Sequence, residues 1–189
     1  MRVIAGQYRS RVLRSLTGME IRPTSDRLRE TLFNVLTAGN GAVLEGTTWL
    51  DLYAGTGAVG IEALSRGAGK VYFVEKAKAA VEVIRKNLQS LQVTTGFEVL
   101  HGDVGKVLTR LEGLGVLASF VFLDPPYAMQ YEYARSLQML GESRLLDADA
   151  LVIVEHEKRF DPGERFGRLV RTRQLAQGDA ALSFYRLDG

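Results

Sequence analysis

Five acidic residues stand close behind five short apolar runs in this chain of 189 residues, namely Asp51, Glu75, Asp103, Asp124 and Glu155. If those runs are parallel strands, their C-terminal ends share one sheet edge, and open α/β sheets bind ligands at that edge. Acids after strands also cap helices, as Asp103 would. Five in register describe a crevice rich in hydrogen-bond acceptors. Behind Asp51 runs Leu52-Tyr53-Ala54-Gly55-Thr56-Gly57-Ala58-Val59-Gly60. Its glycines allow a tight turn and a close approach of ligand to backbone at a helix N-terminus. The triplet Gly55, Gly57 and Gly60 also matches the dinucleotide fingerprint, with Glu75 placed for ribose hydroxyls. The acids separate the candidate cofactors. A pyrophosphate near Asp51 would be repelled by ~4 kcal/mol at about 4 Å and an effective dielectric near 20, and the loop from Asp51 to Ala63 holds no Lys or Arg to offset this. S-adenosylmethionine instead presents a sulfonium, an ammonium, ribose hydroxyls and an adenine amine, and its one carboxylate can use the helix N-terminus. The crevice suits the methyl donor better than a nicotinamide cofactor.

The elements that must position these residues follow from periodicity. The apolar runs are Thr48-Trp49-Leu50, Val71 to Val74, Phe97 to Leu100, Phe120 to Leu123 and Leu151 to Val154. Most are apolar throughout, as strands buried on both faces require. Amphipathic helices lie between them, such as 77–91, where Ala77, Ala80, Val81, Ile84, Leu88 and Leu91 form one stripe. This alternation predicts right-handed crossovers and an α/β doubly wound Rossmann-like sheet. Residues 165–173 and 180–187 read as two strands joined at Gly178-Asp179, an antiparallel finish and a seventh strand. Upstream, Val3 to Leu13 reads as a hairpin turning at Gly6-Gln7. Arg22-Pro23-Thr24-Ser25-Asp26 starts a helix with Leu28, Leu32, Val35 and Leu36 on one face, ended by Gly39-Asn40-Gly41. The expected division is an extension over 1–42 and a catalytic domain over 43–189.

Composition narrows the classes. The chain has no cysteine, which excludes disulfides and any cysteine nucleophile, and two histidines make a protein zinc site improbable. No apolar run approaches the roughly 20 residues of a membrane span, and no secretory signal opens the chain. A cytoplasmic protein is expected. The net charge is +2, but residues 1–30 carry +4 and residues 156–173 carry +3, leaving −5 for the rest. Basic flanks around an acidic centre describe a polyanion gripped outside a site that itself prefers cations. The alternative is a solvated arginine-rich surface.

Asp124-Pro125-Pro126-Tyr127, one strand from the glycine loop, resembles the Asp/Asn-Pro-Pro-Tyr/Phe signature of class I methyltransferases that modify exocyclic amines. Such an amine is a poor nucleophile because its lone pair is delocalised into the ring. The Asp124 carboxylate and the Pro125 carbonyl can hold its N–H groups and turn the lone pair to the methyl group, and the carboxylate stabilises the positive charge that develops. The displacement is in line, so catalysis is mostly positioning. Tyr127 offers a face for the target base, worth about 1–3 kcal/mol by analogy with single-strand binders. A base in a stack or pair must be flipped out.

The resemblance narrows with the block Arg22 to Asn34 (RPTSDRLRETLFN), Ile4 to Arg11 before it, and Leu50 to Gly67 after it. These are similar to the bacterial 16S rRNA guanine-N2 methyltransferases that modify guanine 966, and the similarity spans nearly the whole chain. It implies Asp51, Tyr53, Gly55 and Gly57 at the methionine part of S-adenosylmethionine, Glu75 at the ribose, and Asp103 with the Val104 amide at the adenine. Residues around Thr24 and Asp26 would close over the cofactor. Arg2, Arg9, Arg11 and Arg14 would bind RNA, and Asp124, Pro125, Pro126 and Tyr127 would be catalytic. The implied partner is 16S rRNA within an assembling small subunit, met by a monomer with no metal. Many members carry Phe where this chain has Tyr127, and both rings stack. Other readings are an N6-adenine methyltransferase, a nicotinamide oxidoreductase and a catalytically silent RNA-binding protein. His101 and His156 read as structural or RNA-facing, and Trp49 as core.

Overall fold

The computed structural model describes residues 1–16 and 24–189. Arg22 and Pro23 of the helix-start signal lie outside the described residues. The helix itself begins where Ser25 accepts the Leu28 N–H at 3.1 Å, a side-chain N-cap with Asp26 in the first turn. It is α1 (Asp26–Thr37). Then follow β1 (Thr48–Leu52), α2 (Ala58–Ser65), β2 (Lys70–Glu75), α3 (Lys78–Ser90), β3 (Phe97–His101) and α4 (Val104–Gly113). The second half holds β4 (Ala118–Leu123), α5 (Gln130–Glu142), β5 (Leu146–Glu157), β6 (Arg165–Phe166), β7 (Leu169–Gln177) and β8 (Ala180–Leu187).

One sheet orders them β3-β2-β1-β4-β5-β8-β7-β6. The first five strands are parallel and the last three antiparallel. Strand order reverses between β1 and β4, whose registers match Leu52 to Leu123 and set Asp124 beside the end of β1. That reversal opens the crevice. Because side chains alternate along a strand, Trp49, Phe73, Phe120 and Phe122 pack on one face with apolar residues of α1, α2 and α3. Leu50, Leu52, Val74, Val121 and Leu123 pack on the other with α4 and α5. Trp49 is wholly buried, stacked between Phe33 at 5.6 Å and Phe120 at 5.3 Å, the core role expected of it.

Three details differ from the sequence expectations. The sheet has eight strands, because the run 165–173 breaks at Gly167 into β6 and β7. Gly167 sits at φ +55° in a turn packed on Gly141 of α5, to whose carbonyl Arg168 donates its N–H at 3.2 Å. The Val3–Leu13 hairpin forms, with Arg9 N–H closing on the Gly6 carbonyl and the N–H groups of Val3, Ser10 and Leu13 bonding across to Arg11, Val3 and Met1, but its arms make an isolated bridge, Arg2 to Val12, rather than two strands. Gly6 adopts φ +82° against the Ser65 carbonyl, where a Cβ would collide. Finally, Phe33 rather than Val35 or Leu36 completes the buried face of α1. Val3, Leu13, Leu28, Leu32 and Phe33 belong to the same core as the sheet residues.

Candidate active site

Asp51 lies inside β1 rather than behind it, and its side chain turns to the start of α2. It is 2% exposed, and its Oδ2 accepts the Gly60 N–H at 2.9 Å. A Cβ on Gly60 would stand 2.9 Å from that oxygen and collide with the Phe73 ring. The third glycine of the triplet therefore serves close packing around a carboxylate. Burial pushes the Asp51 carboxyl up to about 8, against the Gly60 hydrogen bond and helped by the charge of Glu75.

The loop after β1 is held by its neighbours. Tyr53 adopts φ +59°, Gly55 φ +57° and Gly57 φ +78°. The positive φ at Tyr53 is costly for a residue with a Cβ and marks a backbone fixed by its surroundings. The Tyr53 hydroxyl meets Glu132 Oε2 at 2.8 Å and Ser136 Oγ at 2.9 Å, both on α5. Burial pushes that phenol above its ordinary range. Glu75, the last residue of β2, accepts Gly55 N–H at 2.9 Å and Ala77 N–H at 2.8 Å, one on each oxygen. Each oxygen keeps acceptor capacity for a ribose hydroxyl. Gly57 starts α2 without a side-chain cap, leaving the helix N-terminus suited to an anionic group.

Asp103 caps α4 by accepting the Lys106 N–H at 3.2 Å, with Val104 buried behind it. Arg135 of α5 also grips Asp103, with contacts of 2.9 and 3.2 Å. The guanidinium holds the Asp103 carboxyl below the usual carboxylate range.

Asp124 follows β4 directly and is half-buried. Its carboxyl is raised well above the ordinary value by burial, then by the charges of Glu155 and Asp51, with Thr24 opposing. Glu155, 4% exposed on β5, accepts the Thr24 hydroxyl at 2.7 Å. Thr24 thus lies against the pair of acids Glu155 and Asp124. Pro125 is buried, and its carbonyl accepts from the Tyr133 hydroxyl at 3.3 Å, leaving a second lone pair. Pro126 is exposed and Tyr127 half-buried. The charges that act on Asp51 and Asp124 are those of other carboxylates, so a cation entering here would be stabilised. That donor set fits the sulfonium and ammonium of S-adenosylmethionine and opposes a pyrophosphate.

Other sequence-predicted residues lie further off. Asp26 pairs with Arg29 at 2.9 Å on α1. Arg2, Arg9, Arg11 and Arg14 are all exposed; Arg2 bonds to the Ser10 carbonyl and Arg11 to the Ser90 carbonyl. The basic N-terminal flank is less external than its charge implied, because Arg29 is fully buried against Glu62 and the Arg2 carbonyl. His156 is buried between Ser183 and the Glu157 carbonyl, and burial holds its imidazole below the ordinary value, while His101 contacts the Lys76 carbonyl. His156 is structural, and His101 is exposed. Sequence reasoning noted Glu155 among the five acids but gave it no role, and it missed Glu132, Tyr133 and Arg135. Helical spacing in 130–142 carries no sign of what those side chains reach. Among the described residues, no His, Asp and Glu cluster could hold a metal, and no helix is long and apolar enough to cross a membrane.

A sequence profile for the family described as Conserved hypothetical protein 95 matches residues 1–186. The chain belongs to this family. Among its relatives, "Ribosomal RNA small subunit methyltransferase D" of Haemophilus influenzae is 37% identical, over 84% of this chain and 79% of that one. The protein of the same name from Escherichia coli K12 is 34% identical, over 83% and 75%. Among solved structures, the Escherichia coli protein yhhF superposes with a TM-score of 0.83 at 29% identity, over 100% and 98% of the two chains. The fold of this family member is that of the class I methyltransferases.

Proposed function

We propose that this chain transfers the methyl group of S-adenosylmethionine to the exocyclic N2 amine of a guanine in small-subunit ribosomal RNA, of the guanine-966 type. The observation that carries the reading is Asp124 at the strand-order reversal, with Pro125-Pro126-Tyr127 behind it and Asp51 and Glu155 acting on its charge. The names of the relatives support the RNA class.

When bound, S-adenosylmethionine supplies a methyl group on a cationic sulfur. Asp51 and the Gly55–Gly57 turn hold the methionine end, Glu75 the ribose, and Asp103 with the Val104 amide the adenine. Tyr53 fixes the loop from α5. The Asp124 carboxylate and the free lone pair of the Pro125 carbonyl accept the two amine hydrogens, which turns the nitrogen lone pair toward the donor. Tyr127 stacks on the extruded base. Positive charge grows on the nitrogen as the methyl arrives, and Asp124 stabilises it. A cation held here would favour the ionised form of Asp51 and Asp124, against the burial that raises both carboxyls. Residues 1–42 serve as an extension that binds RNA through Arg2, Arg9, Arg11 and Arg14 and closes over the cofactor around Thr24 and Asp26. The enzyme acts as a cytoplasmic monomer on an assembling subunit.

The test incubates naked 16S RNA and partly assembled subunits with labelled donor, followed by digestion and nucleoside identification. N2-methylguanosine is expected. N6-methyladenosine would replace the substrate assignment, and no labelled nucleoside would overturn the reading.

A further inference from the structure

Asp103 is paired with Arg135 on a ligand edge where, among the described residues, the charges that act on Asp51 and Asp124 are those of other carboxylates. The Asp103 oxygens are unequally filled. Oδ1 accepts from Arg135 Nη2 at 2.9 Å and from the Lys106 N–H at 3.2 Å. Oδ2 accepts from Arg135 Nη1 at 3.2 Å, its one donor among the described residues. A carboxylate has about four acceptor positions, so one remains, on Oδ2.

The guanidinium that sets this arrangement is itself braced. Its Nη1 lies 3.2 and 3.1 Å from the two oxygens of Glu132, and Glu132 Oε2 takes the Tyr53 hydroxyl at 2.8 Å. Room for it comes from Gly105, where a Cβ would stand 2.5 Å from Arg135 Nη2 and 3.1 Å from Cζ. A planar fork held from behind gives up little freedom when it orients a carboxylate.

We propose that Arg135 is a positioning residue that fixes the Asp103 carboxylate so that a single acceptor is offered to the cofactor's base, selecting a purine with an exocyclic amine over one with an oxo group. This rests on the functional reading above, which places adenine at Asp103. An amine donates one N–H to the remaining lone pair of Oδ2. An oxo group presents oxygen to oxygen, and the N1–H that a 6-oxopurine carries lies one ring position away from an acceptor held in place for the amine, so a fixed Oδ2 loses its bond, on the order of tenfold in affinity for a hydrogen bond to a charged group. Arg135 also cancels the charge of Asp103, which suits a neutral base as the unpaired acids suit a sulfonium. Without the fork the carboxylate can rotate and meet either group through solvent.

The experiment is calorimetry on the full chain with S-adenosylhomocysteine and S-inosylhomocysteine, for wild type, Arg135→Gln and Gly105→Ala. Wild type should prefer the adenosyl compound by about tenfold or more. In Arg135→Gln the ratio should fall below about threefold, and Gly105→Ala should do the same by displacing the fork while keeping the arginine. The Arg135 side chain is 41% exposed, so the unfolding temperature of Arg135→Gln should stay near wild type; Gly105 is buried, but what its new Cβ would meet most closely is the far end of the Arg135 side chain, so Gly105→Ala should fold as well. A tenfold preference kept by both variants, or weakening of both ligands by the same factor, would overturn the role of Arg135. A wild-type ratio near one would overturn it too. Failure of wild type to bind either compound would instead remove the cofactor reading, and the inference with it.

Discussion

Replacing Asp51 by Asn should make the ligand-free protein more stable, and increasingly so as pH rises. The Asp51 carboxyl titrates near 3.8 when free and near 8 when buried between β1 and α2. Between those values the folded state binds the proton and the unfolded state does not. The contribution is therefore complete below pH 4 and is lost as pH climbs to about 8. Across that interval each step of one in pH removes about 1.4 kcal/mol, so the climb from pH 5 to pH 8 removes about 4 kcal/mol. That is a large part of the 5–15 kcal/mol by which typical domains are stable. Asn keeps a carbonyl oxygen for the Gly60 N–H and cannot ionise, so the variant escapes this loss.

The measurement is urea unfolding of both proteins at pH 5, 6, 7 and 8, read as the gap between variant and wild type. The gap isolates the acid crevice, because His156 acts in the other direction and equally in both. Its imidazole is held below the ordinary value by burial, so its contribution is lost as pH falls below about 6.5. Asp124 follows Asp51, since the charge of Asp51 is among the causes that raise it, and relieving it adds to the gap with the same sign. A gap that grows by about 4 kcal/mol from pH 5 to pH 8 is expected. One that stays constant within ~0.5 kcal/mol would refute the claim that burial between β1 and α2 raises the Asp51 carboxyl.

The other expectations are simpler. Asp124→Ala should abolish transfer to RNA while calorimetry finds S-adenosylhomocysteine bound within a few-fold of wild type; a large loss of cofactor affinity would mean that Asp124 mainly holds the donor. Gly60→Ala should cost about 1–3 kcal/mol by overpacking against Phe73 and the Asp51 carboxylate, seen as a lower urea midpoint at unchanged slope. Arg9→Ala with Arg11→Ala should weaken RNA binding and flatten the log–log salt dependence by about 1.5, since each lost phosphate contact removes about 0.7–0.9; an unchanged slope would move the RNA to another face.

The middle of the parallel half of the sheet is legible in the sequence because its strands are buried on both faces and so spell continuous apolar runs, as Phe120 to Leu123 do, whereas β3 at the edge has no fully buried residue. The break between β6 and β7 is not, because it depends on Gly167 meeting Gly141, a contact between β-hairpin and helix that neither local sequence encodes. In the site, residue types at strand ends suffice to pick out Asp51, Glu75 and Asp103. Their partners come from α5, where Glu132, Tyr133, Arg135 and Ser136 reach Tyr53, the Pro125 carbonyl and Asp103. An amphipathic pattern reports which side of a helix is buried, not which polar atoms its first two turns deliver across the sheet. Arg29 misleads for a related reason. Its charge counts toward an outer basic flank, yet Glu62 receives it inside the core.

The placement of Arg29 bears on how the chain can recognise a particular base. Glu62, on α2 beside the cofactor loop, accepts the backbone N–H groups of Ile4 and Ala5 at 2.8 and 3.0 Å and pairs with Arg66. Arg29 closes the same knot from α1, and Thr24 at the head of that helix reaches Glu155. Val3 and Leu13 are buried in the core that holds Trp49. An arm tied at both its backbone and its apolar side chains cannot swing independently of the sheet. Under the proposed function, exposed Arg9 and Arg14 then stand at a fixed offset from Asp124, and an RNA must satisfy both at once. Two phosphate anchors and one extruded base on a rigid frame select a folded shape rather than a run of sequence.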